Sequence, residues 1–181
     1  MNNPASPALA ALLLLLAATA TALAQHAPAS GHAGHASAPY AGMHSRSIKA
    51  LSDQQLADLR AGKGMSLALP AELNGYPGPA HVLESAEPLK LTPQQRARTQ
   101  ALFEQMQREA RLAGEAVIQA EAALDALFKR KAVNAESLSQ ATANAAVAHG
   151  RLRETHLRHH LGMMEVLTPE QVAAYNVLRG Y

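Results

Sequence analysis

The residues of this chain best equipped for chemistry lie in one run, Glu154-Thr155-His156-Leu157-Arg158-His159-His160-Leu161-Gly162-Met163-Met164. On a helix His156 and His160 are one turn apart and project to the same side, and His159 with Met163 and His160 with Met164 repeat that spacing. Imidazole binds zinc, copper, nickel and cobalt, and a thioether adds a preference for softer copper. A His pair one turn apart is a chelating unit. His156, His159, His160 and Met163 are therefore candidate ligands for a divalent transition metal (Zn, Cu, Ni or Co), with Met164 and His149 as weaker candidates. A complete site needs further ligands. Glu154 and Glu165 are near in sequence, and His26, His32, His35 and His44 with Met43 lie in a His-containing stretch far upstream. Such tracts bind metal loosely. The same residues also read as partly buried histidines on an apolar stripe and as methionine core filler.

Other chemistries lack their residues. There is no cysteine, which excludes thiolate zinc sites, Fe–S clusters and C-x-x-C-H haem attachment. Neither H-E-x-x-H nor the paired Glu-x-x-His of di-iron bundles occurs, and no nucleophile–base arrangement or Gly-rich phosphate loop is evident. The expectation is a binding protein, not an enzyme, with no small-molecule substrate. Sixteen Lys and Arg against 14 Asp and Glu give a net charge of +2 with both signs interspersed, which points away from nucleic acid.

The elements that must position the His/Met run are helices. Leu91-Thr92-Pro93-Gln94-Gln95 and Leu167-Thr168-Pro169-Glu170-Gln171 are two copies of one helix-start word, and Leu51-Ser52-Asp53-Gln54-Gln55 is a looser third. Thr or Ser is the N-cap, Pro suits the first helical position, and Gln closes a capping box. Between the two good copies, a helix is expected over 93–131. Its seam is Phe103, Met106, Ala110, Ala113, Val117, Ala120, Leu124 and Leu127 at spacings of three and four. Gly114 beside it weakens the helix by about 1 kcal/mol relative to Ala. A second helix is expected over 135–166, capped by Asn134, with seam residues Leu138, Thr142, Ala145, His149, Leu152, His156, His159, Met163 and Val166. The short turn between them makes an antiparallel αα-hairpin. Shorter helices are expected over 52–61, 80–86 and 169–178, with 65–79 a Gly/Pro loop. The fold class is thus all-α: a long antiparallel helical hairpin with short flanking helices. Aromatics make up only 3% of the chain, so each helix leaves one face poorly covered, and a homodimer, cradle-like or four-helix, is the simplest way to bury it.

Residues 8–23 are apolar and Ala22-Leu23-Ala24 is an A-x-A signal, so residues 1–24 read as a signal peptide cleaved after Ala24 and the protein as exported. Residues 25–44 form a low-complexity tail, 45–90 an extension of short helices and loop, and 91–181 the hairpin domain.

Two L-T-x-x-Q words flanking a helical hairpin behind an export signal resemble the Spy/CpxP superfamily, which includes metal-resistance proteins of the CnrX and ZraP type. The resemblance covers 91–181. It implies a periplasmic, cradle-shaped dimer with no catalytic activity. Members of the CnrX type bind metal through His and Met one turn apart and signal to a membrane-bound regulator. His159 with Met163, or His160 with Met164, match that spacing. Spy-like members are ATP-independent chaperones that hold unfolded client proteins. A metal-binding protein of heavy-metal resistance or envelope stress is the first expectation; a chaperone is the alternative.

Overall fold

Ser52, Thr92 and Thr168 each accept the backbone N–H three residues on, and Gln55, Gln95 and Gln171 each return a side-chain oxygen to the cap's own N–H. Three complete capping boxes thus open three helices. The computed structural model describes residues 39–181, which are all-α. In chain order the helices are α1 (Asp53–Ala61), α2 (Leu69–Glu72), α3 (Pro79–Glu84), α4 (Pro93–Lys129), α5 (Ala135–Met164) and α6 (Pro169–Arg179), with a 3-10 turn at Met43–Ser45 before them. His26, His32 and His35, and the signal segment, lie outside the described residues. No helix among the described residues is long and apolar enough to cross a membrane.

α4 and α5 run antiparallel. Arg158 Nη2 donates to Glu109 Oε2 at 2.6 Å, and His149 Nε2 lies 2.9 Å from Glu121 Oε1, so residues later in α5 face residues earlier in α4. Asn134 caps α5 in a box with Ser137. The seam is buried only over part of its length. Met106, Ala110, Val117, Ala145 and Leu152 are buried, whereas Leu138 and Thr142 near the turn are exposed.

The core forms two clusters. In the first, Ile48, Leu51, Leu56 and Leu59 pack on Ala110, Val117, Ile118, Ala148 and Leu152. The segment before α4 thus covers the small-residue centre of the hairpin, and residues 38–181 form one compact unit. In the second, Val82, Leu89, Met163, Val166, Leu167 and Tyr175 gather α3, the end of α5 and α6. The stretch expected as a loop over 65–79 holds a helix, α2, with Pro70 inside its first turn, where a missing N–H costs nothing.

Beside the second cluster the two good helix-start words touch. Gln95 Nε2 donates to Gln171 Oε1 at 2.7 Å, and Gln171 Nε2 donates to Gln95 Oε1 at 3.1 Å. Each amide also reaches a backbone carbonyl, Gln95 that of Val166 and Gln171 that of Leu89. Each glutamine closes its own capping box and clasps the other, so the starts of α4 and α6 are locked side by side.

Candidate functional site

Helix periodicity and the second core cluster decide how the candidate ligands are distributed. His156 and His160, one turn apart on α5, both line a cavity of about 470 Å³ roofed by α2 and the start of α3. His156 is 2% exposed and its Nε2 has no hydrogen-bond partner. Burial, and then the neighbouring charges of His159 and His160, hold its pKa below the ordinary histidine value. It is therefore neutral near pH 7, with a lone pair available on one ring nitrogen. The Nδ1–H of His160 donates to the carbonyl of Tyr76 at 2.7 Å, so Nε2 is the ring nitrogen that this bond leaves for another partner.

The other wall of the cavity carries a residue that sequence spacing did not select. Glu72, at the end of α2, is 6% exposed. Its Oε1 accepts from Tyr175 Oη at 2.5 Å and lies 3.2 Å from His81 Nδ1 and 3.4 Å from Arg179 Nε. Its Oε2 is buried with no hydrogen-bond partner and lies 3.8 Å from His160 Nδ1. Gly78 closes this corner. A Cβ there would lie 2.8 Å from His160 Cε1, 3.1 Å from His160 Nε2 and 3.4 Å from Glu72 Oε2, so only glycine lets the backbone lie against the ring. A single acid in a Pro/Gly-rich stretch gave no spacing signal; the sign that marks it is its burial. His81, 39% exposed at its side chain, also lines the cavity.

The remaining candidates go elsewhere. Met163 is fully buried in the second apolar cluster, with Val82 and Tyr175 around it, and acts as core. Met164 is exposed and outside the cavity wall. His159 donates its Nδ1–H to the carbonyl of Thr155 at 2.8 Å, and its Nε2 lies 3.7 Å from Glu109 Oε2. Hydrogen bonds from Gln105 and then Arg158 hold that carboxyl below its ordinary range. His149 is not on a buried seam; it is half-exposed and paired with Glu121. His44 is exposed near the hairpin turn, and Glu154 and Glu165 are exposed. Among the described residues no three His, Asp or Glu side chains are arranged as a closed metal site. The cavity therefore supplies suitable donor types, and a full coordination sphere needs side-chain rotation or an added ligand.

A second concavity, open and about 820 Å³, runs between α4 and α5. Its floor includes Ala113, Ala116, Ala120 and Ala148, its rims Leu112 and Val147, which are 76% and 53% exposed. Glu109, Arg151, Glu154 and Arg158 add both charges along it.

Comparison with protein families, with curated proteins and with solved structures finds no match to this chain.

Proposed function

We propose that this chain is an exported, non-catalytic metal-binding protein of the Spy/CpxP kind, acting in heavy-metal resistance or the envelope stress response of the periplasm. The observation that carries this reading is the pair of buried, unpartnered polar atoms, Glu72 Oε2 and His156 Nε2, on residues lining one cavity. Leaving such atoms unpaired is costly, and a cation is the group that suits a carboxylate and a neutral imidazole together. In this reading His156 and His160 are the helix ligands and Glu72 is the carboxylate. His159 and Met163 hold the α5 seam in place.

The test is calorimetric titration of the chain without residues 1–24, at neutral pH, with Zn²⁺, Cu²⁺, Ni²⁺ and Co²⁺. The expected result is one tight site for at least one of these ions. His156→Ala with His160→Ala weakens it by at least about 100-fold, since even partners of ligands are worth up to that much. Met163→Leu leaves it unchanged. Binding that survives in the double variant removes the cavity as the site, and no binding at all removes the function.

The open α4–α5 groove favours the second reading, a chaperone. An apolar floor with bare Leu112 and Val147 and with both charges alongside suits unfolded segments of mixed composition. A homodimer belongs to either reading. If the chaperone reading is right, stoichiometric chain suppresses aggregation of a reduced, unfolding client; unchanged aggregation rejects it.

A further inference from the structure

The tip of the hairpin carries a local excess of positive charge. Lys129 ends α4, and Arg130 and Lys131 form the turn that follows. Arg46 and Lys49 join them from far upstream. The backbone N–H of Lys49 donates to Asp125 Oδ1 at 3.3 Å across 76 residues of sequence, and Ile48 between the two is buried in the first core cluster. One surface depression is lined by His44, Arg46, Lys49, Asp125, Phe128 and Lys129. Another, lined by Tyr40 and Met43, shares His44, Arg46 and Lys49 with it, so the patch is continuous.

Five cations face two carboxylates here, Asp125 and Glu136, which leaves three positive charges at the tip of a chain whose net charge is +2. Elsewhere 11 cations meet 12 carboxylates, and five of those cations are in ion pairs: Arg60 with Glu115, Lys63 with Asp58, Arg96 with Glu87, Arg158 with Glu109 and Arg179 with Glu72. None of the five tip cations is in an ion pair among the described residues. The α4 macrodipole accounts for a cation in its last turn, but not for Arg46 and Lys49, which belong to another segment. Amid the cations, Phe128 is 55% exposed and Tyr40 is 78% exposed.

We propose that this tip docks on an anionic phospholipid surface. A polybasic cluster is drawn to acidic headgroups. Exposed aromatic rings partition into the interfacial region, and two such signals together give stable but reversible attachment. An acidic protein segment would match the charge but gives no reason for a bare phenylalanine among the cations. The tip is also remote from the histidine cavity. Phe128 lies about 33 Å along α4 from Met106, which lines that cavity, at 1.5 Å per residue. A chain attached by its tip keeps the cavity open to solvent.

The test is partition of the chain without residues 1–24 onto sedimented vesicles. Mixed phosphatidylglycerol and phosphatidylcholine vesicles are compared with pure phosphatidylcholine. The expected result is partition onto the mixed vesicles only, weakening as salt rises. Lys129→Glu with Lys131→Glu reduces it by about 30-fold or more, and Phe128→Ser also reduces it. All these positions are exposed, and unchanged far-UV circular dichroism verifies the fold of each variant. Equal partition onto both vesicles, or undiminished partition of the charge-reversed variant, overturns the proposal. Binding to polyglutamate without partition onto the mixed vesicles also overturns it and assigns the tip to an acidic protein partner.

Discussion

Gly114→Ala lowers the thermal midpoint by about 5 °C, although alanine is the better helix former. The position lies inside the 37-residue helix α4, where the intrinsic gain from Gly to Ala is about 1 kcal/mol. A Cβ added at Gly114, however, meets the carbonyl oxygen of Leu59 at 2.4 Å, its carbonyl carbon at 3.0 Å and its Cα at 3.3 Å. All three are backbone atoms of α1, so no side-chain rotation relieves the clash. Leu59 is 4% exposed and belongs to the first core cluster, so α1 must lift off α4 and open that cluster. Overpacking of this kind costs about 1–3 kcal/mol, and more where backbone must move. The control is Gly150→Ala on α5, where an added Cβ meets nothing within 4 Å and the helix gain of up to about 1 kcal/mol is realised. Thermal unfolding of the two variants side by side gives opposite signs. A Gly114→Ala protein as stable as the Gly150→Ala protein would show that α1 does not sit on α4.

That glycine illustrates which features were legible in the sequence. Capping words, seam spacing and the turn at Asn134 are local signals, and they placed α1, α4, α5 and α6 within a few residues. What Gly114 is for could not be read, because the answer is a backbone oxygen 55 positions away in the chain. The helix-start word likewise announces a capping box, but not that Gln95 and Gln171 bond each other across 76 residues. The exposure of Leu138 and Thr142 was hidden for the same reason: seam spacing within one helix does not say which positions another segment covers. At the site, the helical repeat correctly put His156 and His160 together. It could not separate them from Met163, whose fate depends on α3 and α6, nor find Glu72, which shares no element with them. Spacing rules act within one helix, and half of this cavity comes from others.

Glu72→Ala carries the largest expected loss, about 3 kcal/mol or roughly 10 °C in thermal midpoint. The carboxylate accepts from Tyr175, which is fully buried, and holds His81 and Arg179 beside it. Through these contacts it ties α2 to α3 and α6. Removing it leaves the Tyr175 hydroxyl buried without an acceptor and Arg179 without its counter-charge. Burial, and then the bond to Glu72, raise the Tyr175 pKa above the ordinary tyrosine value. The sign follows from linkage: the folded state favours the protonated phenol, so this contribution is complete below about pH 10 and is lost as pH rises further. Tyr175→Phe alone costs less, about 1–2 kcal/mol, because Glu72 Oε1 keeps His81 and Arg179. In the double variant the losses are less than additive by about 1–2 kcal/mol, since each single change already forfeits the shared bond. Strict additivity in denaturant unfolding would show that the bond contributes nothing. Glu72→Gln separates structure from binding. It keeps the acceptor for Tyr175 and the shape of the cavity wall, so the loss of stability is smaller than in Glu72→Ala. It also removes the negative charge that the proposed ion needs, so metal affinity falls by at least about tenfold. A Gln variant with full affinity would leave Glu72 as a structural clasp and strike it from the ligand set.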